Sequence, residues 1–200
     1  AIDRARANNM PKENIERAIK RGTGESKDGS ALEEAIYEGY APHGVAVMIS
    51  VVTDNRNRTV AEVRHVLNRF GGSMADAGSV AWQFKRVAYF GFNPGKNDTD
   101  KIFEMAVEAG ADDVTIEDNW VEIVAPVEAF KEISNMLKAM NITPEEAELR
   151  YVPNNETELS DEDTIQVYRV IEALEELDDV QNVYSTLSIS DSAMAQLEAA

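Results

Sequence analysis

The segment Asp54-Asn55-Arg56-Asn57-Arg58-Thr59 sets two arginines and two asparagines directly before a stretch of helical periodicity. Free amides at a helix N-terminus, joined by guanidinium groups, form a natural site for a phosphate or another anion. The same residues admit a plainer arrangement, a salt-bridged cap in which Arg56 or Arg58 holds Asp54 or Glu62. The sequence leaves both open. A second candidate is the arm of residues 1–27, where Arg4, Arg6, Lys12, Arg17, Lys20, Arg21 and Lys27 outnumber Asp3, Glu13, Glu16 and Glu25. Such a surplus is either an ordinary solvated face or a source of phosphate contacts.

Other chemistry-bearing residues point to no reaction. His43 and His65 are the two histidines, and the spacing around them supplies neither a metal set nor a Ser-His-Asp triad. His65, seven residues after Arg58, reads as a solvated helix residue, and His43, beside Gly44, as a turn residue. The runs Glu145-Glu146, Asp161-Glu162-Asp163, Glu175-Glu176 and Asp178-Asp179 lack the pattern of a calcium loop and read as solvated helix termini. Gly71-Gly72-Ser73-Met74-Ala75-Asp76-Ala77-Gly78 lacks the Lys-Ser/Thr ending of a phosphate loop and reads as a flexible helix-to-strand connection. No catalytic residue, cofactor or metal is expected.

Charge and composition narrow the class. The 200 residues carry 37 acidic and 19 basic side chains, a formal net charge of −18. Residues 1–111 hold 15 of each sign, whereas residues 112–200 hold 22 acidic and 4 basic groups, so the excess lies wholly in the second half. The chain is an electrostatic dipole. With 44% hydrophobic residues it can bury a core. The absence of cysteine removes disulfides, thiolate metal sites and thiol catalysis. The longest strongly apolar stretch, Val45 to Val52, is far too short to span a bilayer. A soluble, cytoplasmic protein is expected.

The elements that position these residues follow from periodicity. The first residues already read as helix, and a second helix is expected from Pro11 to Arg21, stopped by Gly22-Thr23-Gly24. A flexible boundary follows at Glu25-Ser26-Lys27-Asp28-Gly29. Glu34 to Tyr40 and Val45 to Thr53 read as a hairpin. Thr59 to Phe70 reads as a helix with a Thr59/Glu62 capping box and a buried stripe of Val60, Val63, Leu67 and Phe70. Two strands are expected next, Ser79 to Phe84, with Val80, Trp82 and Phe84 alternating inward, and Val87 to Phe92. A helix from Thr99 to Ala109, strands Asp113 to Glu117 and Trp120 to Val124, a helix after Pro126 and a strand Glu148 to Val152 complete a βαββαβ order, that of a ferredoxin-like module. A helix from Asp161 to Leu177, capped by Ser160 with Asp163 and carrying an apolar stripe of Ile165, Tyr168, Ile171 and Leu174, and a strand Val183 to Ile189 remain. They return to the earlier sheet, so one α+β unit is inserted in another.

Several motifs together resemble the YebC/PmpR family: Asn8-Asn9-Met10-Pro11-Lys12-Glu13-Asn14-Ile15-Glu16-Arg17-Ala18-Ile19, Tyr37-Glu38-Gly39-Tyr40, Thr53 to Thr59, Gly78-Ser79-Val80 and Leu177-Asp178-Asp179-Val180-Gln181-Asn182-Val183-Tyr184. That family includes bacterial proteins called probable transcriptional regulators and a mitochondrial translational activator of cytochrome oxidase. The resemblance implies an α+β chain of three domains. These are an N-terminal helical domain (1–28), a second α+β domain (29–85 with 154–190) and an inserted ferredoxin-like domain (86–153). Two departures stand out. Ala41-Pro42-His43-Gly44 replaces a glycine-rich turn, and a basic Gly-His-Ser-Lys-Trp-like segment expected upstream is not in this sequence.

The resemblance implies a nucleic-acid-associated regulator of gene expression. As a DNA-binding transcriptional regulator, it would contact phosphates through Arg4, Arg6, Lys12, Arg17, Lys20 and Arg21, helped by Arg56 and Arg58. No base-reading recognition helix is evident in the sequence. The alternative is a ribosome-associated translation factor, its basic arm on ribosomal RNA or tRNA and its acidic body toward basic ribosomal proteins. The dipole fits this alternative rather better. A structural adaptor acting through the ferredoxin-like domain is a third reading. Neither a membrane nor a small-molecule substrate is expected.

Overall fold

Two short helices open the chain in the computed structural model, which describes residues 2–7, 9–23 and 32–198. The boundary segment 25–29 lies outside the described residues, as do the side chains of Arg4 and Arg21. Helix α1 (Ile2–Ala7) turns at Asn9, which takes a positive φ of 56°. Helix α2 (Lys12–Gly22) then starts after Pro11, whose carbonyl accepts the Asn14 and Ile15 N–H groups. Ile15 is buried between the two helices' apolar residues.

Described separately, the chain forms two compact units, one of residues 1–81 and 157–200, the other Trp82–Glu156. In the first, β1 (Glu33–Tyr40) pairs antiparallel with β2 (Ala46–Thr53). Val47, Ile49 and Val51 of β2 are fully buried against the helices, and Ala46 and Met48 are buried on its other face. That is why β2 reads as a continuous apolar run.

Helix α3 (Arg56–Arg69) begins three residues before the expected start. Asn55 is its cap, accepting the Arg58 N–H at 3.1 Å. The Thr59/Glu62 capping box therefore does not form. Asparagine caps as well as threonine, and the extra turn carries Thr59 inside, where its hydroxyl finds a partner described below. The inward face is Thr59, Val63 and Leu67, with Val66 and Phe70 beside it.

The middle of the glycine cluster is a short strand where a flexible connection was expected. Strand β3 (Ser73–Ala75) runs along β1, with Gly39 opposite Met74. A Cβ on Gly72 would lie 2.4 Å from the Tyr40 carbonyl oxygen, so only glycine permits this approach.

Ser79 to Gln83 is not a strand. A 3₁₀ turn spans Ala81–Gln83 and leaves Trp82 72% exposed, while Val80 is buried. The cause is the Glu38 carboxylate, which takes the N–H groups of Gly78, Val80 and Ala81 at 2.6–2.9 Å, donors that a strand would give to a neighbour. One strand, β4 (Phe84–Phe92), replaces the two expected.

In the second unit β4 is followed by α4 (Thr99–Glu108), β5 (Asp113–Glu117), β6 (Trp120–Pro126), α5 (Phe130–Ala139) and β7 (Glu146–Pro153). The sheet order is β5-β6-β4-β7, all neighbours antiparallel. Two interlocked βαβ crossings give this ferredoxin-like order. Asp118 and Asn119, with φ of 45° and 65°, make the tight β5–β6 hairpin. Ala88, Phe90 and Phe92 meet Ile102 and Ala106 of α4 and Ile133 and Leu137 of α5.

The chain then returns to the first unit. Helix α6 (Asp161–Glu175) is capped by Ser160, as expected, and β8 (Val180–Ser185) pairs with β2 to complete the order β3-β1-β2-β8. Its inward residues are Thr164, Val167, Val170 and Leu174, so the helix is rolled from the expected Ile165-Tyr168-Ile171 stripe. Smaller β-branched side chains face the core, and Tyr168 stays half-buried at the flank. A helix that the periodicity did not reveal, α7 (Asp191–Glu198), buries Ala193. Among the described residues no helix is long and apolar enough to cross a membrane.

Candidate nucleic-acid interface

At the start of α3 the salt-bridged arrangement is the one formed. Arg58 Nη2 donates to Asp54 Oδ1 at 3.1 Å and to Asp179 at 2.8 and 3.0 Å. Arg56 Nε lies 2.7 Å from Glu33 Oε2, not from Glu62, with both side chains largely exposed. Asp179 is the hub. Its side chain is 13% exposed, and Oδ2 also accepts the Thr59 hydroxyl at 2.6 Å and the Thr53 hydroxyl at 3.0 Å. The Thr59 hydroxyl, the Arg58 guanidinium and the Thr53 hydroxyl outweigh burial and hold the Asp179 carboxyl below its ordinary range. Asp179 was expected on a solvated terminus; the loop before β8 instead turns it onto α3.

The basic arm is more open. Arg6, Lys12, Arg17 and Lys20 are exposed. Arg6 and Lys12 rim an apolar groove lined by Ile2, Met10, Ile15 and Ile19. Lys12 also pairs with Glu16 at 3.7 Å, with 88% and 56% of the two side chains exposed, a contact that competes poorly with a polyanion. Arg17 and Lys20 share a shallow recess with Glu13 and Glu16. The structure thus gathers four of the expected contacts on α1 and α2, and gives Arg56 and Arg58 carboxylate partners of their own.

Two other groups shape the unit. Burial alone would raise the Glu38 carboxyl, but the backbone donors of Gly78, Val80 and Ala81 prevail and hold it below its ordinary value. His43 sits in the expected turn with φ 61°, its Nε2 3.0 Å from Gln166 Oε1 and 3.5 Å from Asp163 Oδ1. Asp161 accepts from Ser190, Ser192 and Gln196. Among the described residues no cluster of histidine and carboxylate side chains could hold a metal ion.

The profile described as TACO1/YebC second and third domain matches residues 32–187. The chain belongs to the TACO1/YebC family. A probable transcriptional regulatory protein of Syntrophotalea carbinolica is 48% identical over 198 residues, covering 98% of this chain and 79% of that protein. One from Thermotoga maritima is 43% identical, covering 98% and 78%. The crystal structure of a conserved hypothetical protein from Aquifex aeolicus superposes with a TM-score of 0.85 at 40% identity, over 95% of this chain and 78% of that one. Glu38 and Asp179 received no role from periodicity or charge, yet both lie inside motifs that carry the TACO1/YebC resemblance. That placement is the sequence signal that could have found them: each motif contributes a carboxylate to a distant backbone turn or helix cap.

Proposed function

We propose that this chain is a nucleic-acid-associated regulator of gene expression, a DNA-binding transcriptional regulator that grips phosphates through α1 and α2. The observation that carries the reading is charge segregation: Arg6, Lys12, Arg17 and Lys20 are exposed on two short helices, while residues 112–200 hold 22 acids against 4 bases. The relatives named probable transcriptional regulatory proteins support it. Arg56 and Arg58 are secondary contacts, since each would exchange a carboxylate for a phosphate. The protein works by binding, in the cytoplasm, and not by catalysis. A second reading, a ribosome-associated translation factor on ribosomal RNA or tRNA, is favoured by the acidic second half, which duplex DNA repels and basic ribosomal proteins attract.

Charge reversal of Arg17, Lys20 and Arg21 tests both readings. Each lost phosphate contact lowers the slope of log K against log salt by about 0.9 for duplex DNA, whereas reversal of the exposed Glu176 leaves it unchanged. Unaltered affinity in the triple variant would remove the arm from the mechanism. Cosedimentation with ribosomes, run beside a duplex titration at two salt concentrations, separates the readings: ribosome association without duplex binding selects the second.

A further inference from the structure

Trp82 is an indole held out in solvent. Its side chain is 72% exposed although the turn that carries it is tied down. Asn154 Nδ2 donates to the Trp82 carbonyl at 2.9 Å, and the Asn154 N–H donates to the Gln83 carbonyl at 2.7 Å. The preceding N–H groups of Val80 and Ala81 are bound to Glu38. The alternation Val80-Trp82-Phe84 would have buried the ring in a strand; the pinned turn presents it instead. A large apolar ring on a fixed backbone exposes surface at a cost, yet loses little further freedom when a partner covers it.

The surroundings select the partner. Lys85 and Arg86 follow within four residues, within ~14 Å of chain. Lys85 neutralises Asp112 at 2.7 Å. Arg86 is exposed and, among the described residues, without a carboxylate partner. It pairs across the sheet with Tyr151, so a second aromatic shares its face. An exposed aromatic four residues from an unneutralised arginine suits a π-face attached to a phosphate. A duplex hides its base faces in the stack, so the matching ligand is unpaired.

We propose that Trp82 is a stacking platform for an unpaired base of single-stranded nucleic acid, with Arg86 taking the adjoining phosphate. This rests on the nucleic-acid reading above and adds a contact carried by the second unit. The second tryptophan, Trp120, packs where a Cβ on Gly91 would come within 2.8 Å of it. The Trp120→Phe variant therefore leaves Trp82 as the sole tryptophan reporter.

In that variant, a short mixed-sequence single-stranded RNA and its DNA counterpart, titrated separately, are expected to quench Trp82 fluorescence, and the matching duplex is not. Equal quenching by the two strands means that stacking alone is read; a preference for RNA adds 2′-hydroxyl contacts. In labelled-strand anisotropy, Trp82→Ala weakens single-strand binding about tenfold, Trp82→Phe restores most of it, and Arg86→Ala flattens the salt dependence by about one contact. Binding that is tight in Trp82→Ala and unquenched in Trp120→Phe overturns the platform and leaves the arm intact. No binding of any strand by the unmodified protein overturns both readings.

Discussion

Arg58 in the first unit and Arg150 in the second each lie between two carboxylates, and the two settings work in opposite ways. At Arg58 the carboxylate is central: Asp179 is nearly buried, and two threonine hydroxyls as well as the guanidinium depend on it. At Arg150 the arginine is central. Its guanidinium lies 3.3 Å from the Tyr89 ring centroid, Glu148 approaches to 3.0 Å and Glu146 also pairs with it, while both glutamates remain more than 40% exposed. Burial, and not the number of charges, decides which member of such a group matters. A partner in solvent loses little when its neighbour goes, whereas buried hydroxyls have no water to replace it.

Removing the hub from the first group should have the largest effect. Asp179→Ala is expected to destabilise the first unit by about 2–3 kcal/mol, because the buried Thr53 hydroxyl loses its carboxylate acceptor while Thr59 and Arg58 each lose the stronger of theirs; Asp54→Ala should cost no more than about 0.5 kcal/mol. Urea denaturation of the two variants reads the contrast, and equal losses would dissolve it.

Acid should expose the same asymmetry. Asp179 and Glu38 both have folded-state values below the ordinary one, so their contribution is complete above about pH 4 and disappears as pH falls through the lowered values. The acid limb of stability against pH should be shallower in Asp179→Ala and in Glu38→Gln than in the unmodified protein.

Arg150→Ala is expected to cost about 1 kcal/mol, mostly the loss of cation–π contact and of the stem's packing over Tyr89. Tyr89 reports on this group separately. Burial, then the hydrogen bond to Glu122, pushes its hydroxyl up to about 12, with Arg150 opposing. Unfolded tyrosine ionises near pH 10, so this residue's stabilising contribution is present below that and is lost as pH rises toward 12. Ultraviolet tyrosinate titration should show a late-ionising tyrosine that moves later still in Arg150→Ala.

Legibility in the sequence followed the range of the signals. The β5–β6 hairpin was readable because Asp118-Asn119 specify it within two residues, and the Ser160 cap because its partner, Asp163, is three residues away. The α3 start was misplaced by one turn because two residues in the segment could cap, and the choice fell to Asp179, 120 positions from Thr59. Trp82 fits an alternating strand in every local respect. Glu38, some forty residues earlier, withdraws the backbone donors that such a strand needs. The roll of α6 was open because apolar residues occur on two adjacent stripes, and contact with the sheet selected the valines. At the candidate interface, the exposure of the arm followed from its charge, whereas the carboxylates that engage Arg56 and Arg58 did not: Glu33 and Asp179 reach them from other elements.

By itself the sequence determined the βαββαβ order of the second unit, the family and the segregation of charge, since period, motif and charge count are properties of neighbouring residues. The tertiary structure alone decided that Asp179 closes the cap of α3, that Glu38 holds the turn before Trp82, and that this tryptophan faces solvent. Those outcomes depend on which distant donors and acceptors packing brings together, and a buried carboxylate takes whichever donors lie within reach once the sheets have formed.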